Sequence, residues 1–347
     1  MFVGGHFAEY QRLGDAAIGV LSDFTPSIER ISIDEAFADV AGCTHLFGSP
    51  VEIARTVRAR VRAEPGLPMS IGVARTKHLA KIASLVAKPD GFVVVDLETE
   101  LEFLHKLPVA LMWGVGPASE ARLAEIGVTT IGQLAESSPQ SVERLLGHAV
   151  GSKLTAFAWN RDPRQIQTRR RARSAGAQSA LGRRPAIDRV FKLTLHHLAD
   201  RIGARLRVKS LTGRTITVRV RFADLRSVTR SLTLSAPISA TRALAEIAED
   251  LVRGVLTDHR DEKTISLLAI AVSNLEAHAV VQLELPLGLG DEGRRPGTKT
   301  GVARSRADRA IDAIRKRFGG EAVDYGSASR VGGSVPDEFR RLAEREL

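Results

Sequence analysis

The 347-residue sequence predicts an α+β protein with more than one domain. Apolar and polar residues alternate around residues 31–37 and again over 214–222, which is the period of half-buried strands. Apolar residues recur every three or four positions over 10–24 and 304–318, which is the period of amphipathic helices. A run rich in arginine over 161–184 separates the two halves of the chain.

The first elements are a helix and a short β-hairpin that carries two adjacent acids. The apolar positions that predict the helix are Tyr10, Leu13, Ala17, Val20, Leu21 and Phe24. Asp34 and Glu35 stand side by side at the predicted hairpin tip. Adjacent carboxylates repel each other unless a cation lies between them, so a divalent metal ion is one interpretation. The alternative is that both are ordinary polar turn residues.

A predicted strand and helix follow over residues 70–86, and three lysines belong to this region. Lys77 and Lys81 are four residues apart and share a helix face, which favours a solvent-exposed stripe. Lys88 comes after the helix and directly precedes Pro89-Asp90-Gly91. A lysine is a compact positive charge that suits phosphate.

Gly114-Val115-Gly116 predicts a tight turn before another helix. Glycines allow such a turn, and the N–H groups at the start of the helix could approach a phosphate. Taken alone, the pattern favours a plain connection between helices.

The charge distribution indicates a polyanionic partner. The formal net charge is +10 and the pI is about 10.2. Residues 161–184 contain eight arginines against one aspartate, which predicts an exposed basic linker over 163–177. The residues expected to contact phosphates are Arg169, Arg170, Arg171 and Arg173. A spacer whose charge only maintains solubility is the alternative.

The segment 178–275 predicts the order strand, helix, strand, strand, helix, strand. At its centre the even positions from Ile216 to Phe222 are apolar. Thr215, Thr217, Arg219 and Arg221 take the opposite face, where they would serve phosphate contacts or simply meet solvent. Aromatic residues make up 5% of the chain, which argues against a surface on which single-stranded bases stack.

The C-terminal region predicts a docking peptide, a disordered Gly-rich stretch over 288–301 and a helix over 304–318. The docking segment runs from Val281 to Leu287, and an edge strand is its alternative. The helix has an apolar face that should pack on the body of the protein or on a partner, formed by Ala307, Ala310, Ile311, Ile314 and Phe318.

Composition excludes several classes of protein. The single cysteine, Cys43, rules out an internal disulfide framework and favours a reducing compartment, so a cytoplasmic location is expected. No apolar run approaches the length of a membrane span, so no membrane is expected. The nine histidines lack the spacing of a zinc site.

Three motifs in order resemble the Y-family translesion DNA polymerases, in the DNA polymerase IV branch. They are Ser32-Ile33-Asp34-Glu35-Ala36, the stretch from Ser70 to Gly91 with its Lys88-Pro89, and Leu107-Pro108 followed by Trp113-Gly114-Val115-Gly116. The resemblance implies a partial polymerase palm over 1–106 and a helical helix-hairpin-helix thumb over 107–162. After the basic linker it implies a little finger of antiparallel sheet with two helices over 178–275. Residues 276–347 would hold a clamp-binding motif, a flexible stretch and a C-terminal helix.

The resemblance also implies roles and partners. Asp34 and Glu35 would bind two Mg²⁺ ions, with Glu35 as the catalytic group nearest the primer end, and Lys88 would meet the incoming deoxynucleoside triphosphate. Primer-template DNA would be held by Gly114, Gly116, the linker arginines, Arg219 and Arg221. The sliding clamp of bacteria would bind Gln282, Leu283, Leu285 and Leu287, although Pro286 interrupts the usual ending of that motif. A monomer that synthesises DNA past lesions is expected.

One departure from the family leaves alternatives open. The family's first palm strand with its metal-binding aspartate, its aromatic gate and its fingers are not found before Asp34. If the start is misassigned, the whole protein is a magnesium-dependent polymerase. If the truncation is real, the product is an inactive DNA- and clamp-binding accessory, and these residues should show little or no primer extension. A gene remnant is the third alternative.

Overall fold

In the computed structural model, which describes residues 5–169, 171–277, 281–285, 292–320 and 322–325, the chain divides into two units. The N-terminal unit is His6–Arg170, and the C-terminal unit takes up the chain from Arg171. None of the helices in these ranges is long and apolar enough to cross a membrane.

The first part of the N-terminal unit contains two small sheets and four helices. Its elements are α1 Phe7–Ser22, β1 Ile28–Arg30, β2 Ala36–Ala38, α2 Thr44–Phe47, α3 Pro50–Ala63, β3 Ile71–Val73, α4 Lys77–Val86 and β4 Phe92–Val94. Strands β1 and β2 pair antiparallel, and β3 and β4 pair parallel. The predicted α1 is present, and Ala17, Val20 and Phe24 enter a core with α3, whereas Tyr10 is exposed.

The second part is helical, with α5 Glu100–His105, α6 Pro117–Glu125, α7 Ile131–Glu136, α8 Pro139–Leu146 and α9 His148–Ala158. Helix α7 begins at a capping box in which Thr130 and Gln133 satisfy each other's backbone N–H groups. Leu79 and Ile82 of α4 belong to the same hydrophobic core as Leu104 and Leu154. The structure therefore has one continuous core across residue 106, where the sequence placed a boundary.

The C-terminal unit has the predicted order of strands and helices. Its elements are β5 Ser174–Pro185, α10 Asp188–Val208, β6 Leu211–Phe222, β7 Ser227–Ile238, α11 Thr241–Asp258 and β8 Thr264–Ala277, followed by α12 Lys299–Phe318. The four strands form an antiparallel sheet in the order β5-β8-β6-β7. One sheet face packs on α10 and α11, and Ile216, Val218, Val220 and Phe222 are fully buried there, as their alternation predicts.

The linker is shorter than the sequence indicated. Ser174 already begins β5, so the linker cannot extend to residue 177. At the other end, Asp162, Gln165 and Gln167 make hydrogen bonds within the N-terminal unit. The sequence missed these bonds because their partners lie far earlier in the chain.

Helix α12 is longer than predicted and docks by a neighbouring face. Of the predicted packing face, Ile311 is half-buried, whereas Ala307, Ala310, Ile314 and Phe318 are exposed. The docked face instead carries Asp308, Asp312 and two arginines in ion pairs. The expectation that the apolar face packs on the body of the protein was wrong.

Candidate active site and nucleic-acid surfaces

The two adjacent acids lie at the tip of the β1–β2 hairpin. The five-residue connection is closed by the Glu35 carbonyl oxygen, which accepts from the N–H groups of Ile31 (2.8 Å) and Ser32 (3.2 Å). Ser32 Oγ donates to Asp34 Oδ1, and both acids are exposed. The hairpin thus presents two carboxylates outward on a short, fixed loop.

Lys81 on α4 faces this tip and pairs with one of the acids. Lys81 Nζ lies 2.7 Å from Glu35 Oε1, and the side chains are 28% and 45% exposed. The same ammonium lies 5.5 Å from the ring centroid of Trp113. The exposed-stripe interpretation of the two lysines is therefore wrong for Lys81, which has a carboxylate partner.

Lys77 forms a second, buried pair that the sequence did not reveal. Lys77 Nζ lies 2.5 Å from Glu29 Oε2, and the two side chains are only 9% and 7% exposed. The same Glu29 oxygen accepts from the N–H of Gln167 at 2.7 Å, and Lys77 also donates to the Gln165 carbonyl at 3.3 Å. This network fixes α4 to the hairpin and to the chain after α9. The sequence signal for this contact was two lysines four residues apart on one helix, in a chain that also carries an acid-bearing hairpin.

Trp113 lies among cations beside the acidic tip. Arg164 is stacked over its ring at 4.3 Å from the centroid, and Phe37 of β2 lies 5.7 Å away. Arg164 is held in turn by Asp162, at 2.6 Å from Oδ1. Burial on its own would raise the pKa of Asp162, but the bonds from Arg164 bring that pKa below its usual value.

His78 lies beneath this group of residues and is fully buried. Its ring stacks on Phe157 at 4.3 Å, and neither ring nitrogen has a hydrogen-bond partner among the described residues. Burial lowers the pKa of His78 to about 4. The imidazole is therefore neutral at physiological pH.

The acids are suited to part of a magnesium site. Among the described residues, no three His, Cys, Asp or Glu side chains come together as a metal cage. Mg²⁺ in enzymes is commonly bound by one or two carboxylates together with substrate phosphates. Asp34 and Glu35 fit that donor set, with the remaining ligands supplied by substrate.

Lys88 is exposed just beyond the end of α4. Asp90, two residues later, is held by Arg58 at 3.3 Å and accepts from the Met69 N–H at 3.2 Å. A side chain at Gly91 would meet the Ala87 carbonyl at 2.0 Å, so only glycine fits the turn. Lys88 has no ion-pair partner within the described ranges, and its ammonium is available to an anion.

The Gly114–Gly116 turn precedes α6. Gly114 has φ +110°, a conformation that favours glycine, and Gly116 caps the helix without a side-chain bond. Two backbone hydrogen bonds join the segment before α6 to the segment before α7. The Val109 N–H donates to the Thr129 carbonyl, and the Ile131 N–H donates to the Leu107 carbonyl. The predicted turn and helix are therefore both present, with open space around Gly116.

The open face of the C-terminal sheet is polar and shallow. Thr215 bonds Thr233 at 2.9 Å, and Arg219 donates to Gln178 at 2.6 Å across Ala269 of β8. Arg221 donates to Ser266 at 3.0 Å. Small and hydroxyl-bearing residues between the guanidinium groups allow an extended backbone to approach closely.

The other residues predicted to contact DNA or the sliding clamp are exposed wherever the structure describes them. Arg169, Arg171 and Arg173 are exposed, and Arg170 lies outside the described residues. Gln282, Leu283 and Leu285 are also exposed, beside a bond from the Glu284 N–H to Gly297 at 2.8 Å. Pro286 and Leu287, the last two residues of the predicted docking segment, lie outside the described residues.

Comparison with known proteins gives consistent matches. Residues 1–85 match the impB/mucB/samB family, and residues 172–285 match its C-terminal domain. The chain is 71% identical to DNA polymerase IV 2 of Mesorhizobium japonicum, covering 100% of this chain and 84% of that protein. It is 33% identical to DNA polymerase IV of Desulfatibacillum aliphaticivorans, covering 91% and 77%.

Solved structures share the fold at low identity. A chimera of the Y-family DNA polymerases Dbh and Dpo4 matches with a TM-score of 0.68 and 21% identity, over 77% of this chain and 76% of that one. An insertion ternary complex of Dbh DNA polymerase matches with a TM-score of 0.55 and 21% identity, over 80% and 79%.

Proposed function

Because the chain belongs to the Y-family DNA polymerases, as a DNA polymerase IV, we propose that the Asp34–Glu35 hairpin tip is the carboxylate part of its active site. The protein is a DNA-directed DNA polymerase, a nucleotidyltransferase of translesion synthesis. The names of its relatives support this function over that of an inactive accessory. The observation that carries the site proposal is the pair of exposed acids on a fixed loop opposite Lys81.

The proposed metal is Mg²⁺, with two ions shared between the protein and the substrate. Bound there, the ions would activate the attacking 3′-oxygen of the primer and stabilise the leaving pyrophosphate. Asp34 and Glu35 would hold them, with Glu35 nearer the primer end. Lys88 would neutralise the triphosphate of the incoming nucleotide as a point charge.

The primer-template DNA is proposed to contact three surfaces. The Gly114–Gly116 turn offers backbone N–H groups, the linker offers Arg169, Arg170, Arg171 and Arg173, and the sheet face offers Arg219 and Arg221. All three address phosphates, so binding should depend weakly on sequence and steeply on salt.

Residues 282–287 are proposed to bind the bacterial sliding clamp through Gln282, Leu283, Leu285 and Leu287. This proposal is supported by the exposure of Gln282, Leu283 and Leu285, which follow β8 in the chain. We further propose that the protein is a monomer and that it works in the cytoplasm; the cytoplasmic location agrees with the free, buried Cys43.

The test of the active site is substitution of each acid. Asp34→Ala and Glu35→Ala should each reduce primer extension with Mg²⁺ by on the order of 10²- to 10³-fold, because charge stabilisation supplies most of the rate. Asp39→Asn is the control, since Asp39 is exposed and its carboxylate accepts from the Ala41 N–H at 3.0 Å, a bond that asparagine can keep. DNA affinity should stay unchanged in all three variants. Full extension by Glu35→Ala would refute the assignment.

A further inference from the structure

Helix α12 has two faces of opposite character. Its docked face is held by charge: Arg207 of α10 pairs with Asp308 at 3.2 Å and Asp312 at 2.6 Å. Arg304 pairs with Glu246 at 2.8 Å, and Arg315 pairs with Asp200 at 2.8 Å. Asp308 and Asp312, the two acids of α12, therefore point toward α10 in the C-terminal unit.

The outward face carries an apolar stripe. Ala303, Ala307, Ala310, Ile314 and Phe318 recur every three or four residues, so they share one side of the helix. All five are exposed, with Ile314 at 39% and Phe318 at 66%. The row thus consists of three alanines, then an isoleucine and a phenylalanine at its C-terminal end.

This orientation is set by the ion pairs and not by burial of apolar surface. The Arg207 and Asp308 side chains are 9% and 4% exposed, and Asp308 also accepts from the Thr241 N–H at 2.9 Å. Turning the apolar stripe inward would leave Arg207 buried without its acids, which is strongly unfavourable. The stripe is therefore kept at the surface of the C-terminal unit.

Cations line one side of the stripe. Arg306, Arg309, Lys316 and Arg317 are exposed, and none of them has an ion-pair partner in the part of the chain that the structure describes. Because α12 has acids only on its docked face, the outward surface is uniformly positive beside an apolar row about 20 Å long.

From these two features we propose that the outward face of α12 docks an acidic amphipathic helix of another protein. The alanines allow a second helix to approach closely, and Ile314 and Phe318 provide apolar contact at one end. The flanking arginines and lysine match an acidic edge on the partner. Duplex DNA fits less well, because its phosphates would engage only the flanking cations and leave the apolar stripe exposed to water.

The experiment uses a synthetic probe of this chemistry. A fluorescein-labelled helical peptide with leucines on one side and glutamates on the other is titrated with the full chain, and anisotropy is measured. Binding should weaken about tenfold in Ile314→Glu and comparably in Arg309→Glu. Leu225→Glu, at an apolar position of the β6–β7 turn that is more exposed than Ile314 (67% against 39%), is the control and should bind as the wild type.

Three further measurements decide the occupant. A peptide of the same charge with serines in place of leucines should not bind. Unchanged binding of the leucine peptide to Ile314→Glu would overturn the proposal. So would a loss of duplex DNA affinity in Ile314→Glu, which would make the face a DNA surface. Sedimentation of the wild type as a dimer that Ile314→Glu dissociates would also overturn it, by making a second copy the occupant.

Discussion

Lys81 Nζ lies 2.7 Å from Glu35 Oε1, so a helix cation already neutralises one of the two acids at the hairpin tip. Asp34 and Glu35 would otherwise repel each other. Because both members of the pair are partly exposed, the ion pair contributes little to stability. Its consequence is electrostatic, since any metal ion that takes Glu35 as a ligand competes with the Lys81 ammonium.

Removing that competitor should strengthen metal binding. In Lys81→Met, the dissociation constant of Mn²⁺, titrated directly as a probe of the Mg²⁺ site, should fall about fivefold, because an exposed ion pair is worth up to ~1 kcal/mol. Electron paramagnetic resonance of bound Mn²⁺ measures this directly. Lys106→Met, at the exposed pair with Glu102, is the control. A weaker Mg²⁺ affinity in Lys81→Met would show that Lys81 supports the site.

The sequence predicted the elements that are determined by residues close together in the chain. The hairpin tip follows from acids placed between apolar residues, and the buried face of β6 follows from strict alternation at Ile216 to Phe222. The docked face of α12 could not be predicted in this way. Its period identifies an apolar stripe, but the arginine that binds Asp308 and Asp312 lies 101 and 105 residues away.

The same limit applies to the candidate site. Asp34, Glu35 and Lys88 were identified by motif, whereas Glu29 was missed because its partner Lys77 is 48 residues later. A helical period shows which residues share a face, and it does not show what that face meets. The burial of His78 could not be predicted either, because it results from packing against Phe157, which is distant in the sequence.

The exposed leucines before the undescribed segment predict a separable clamp contact. Leu283→Ala combined with Leu285→Ala should abolish association with the sliding clamp, because both are exposed anchors. Primer-template affinity should be unchanged. Clamp association is measured by surface plasmon resonance, with Leu225→Ala as an equally exposed control. Clamp binding that survives the double substitution would contradict the docking role of this segment, whose residues 281–285 form no strand in the structure.

The linker arginines predict the salt dependence of DNA binding. Replacing Arg169, Arg170, Arg171 and Arg173 by alanine should reduce the slope of log K against log salt by up to about 3.6, since each lost phosphate contact removes ~0.9. The affinity should fall for all duplex sequences alike. Arg12 and Arg242, which pair with acids on exposed helix surfaces, provide a control pair of substitutions. An unchanged slope would contradict the proposed phosphate contacts.

The buried Lys77–Glu29 pair predicts a large loss of stability when one partner is removed. Lys77→Met removes the ammonium beside the buried Glu29 carboxylate, and the free energy of unfolding should fall by about 3 kcal/mol. Urea unfolding measures this change. Lys106→Met at the exposed pair should change stability by less than ~0.5 kcal/mol. Combining Lys77→Met with Glu29→Leu should recover part of the loss, and a further loss would contradict the coupling.

His78 predicts a pH dependence of stability. Burial lowers its pKa from 6.5 to about 4, so the folded state takes up the proton less readily than the unfolded state. The stability that the neutral ring contributes is fully present above pH 6.5 and is lost as the pH falls toward 4. This loss should reach on the order of 3 kcal/mol.

The variant His78→Phe tests this assignment, because a phenyl ring of similar volume can stack on Phe157 and takes up no proton. Urea unfolding between pH 7 and 4 should show a flatter slope for His78→Phe than for the wild type. The exposed His45 gives the matched control, His45→Gln, which should keep the wild-type slope. Since the prediction concerns the slope, a uniform loss of stability in His78→Phe does not affect it. Parallel curves for wild type and His78→Phe would show that other groups set the acid sensitivity of the fold.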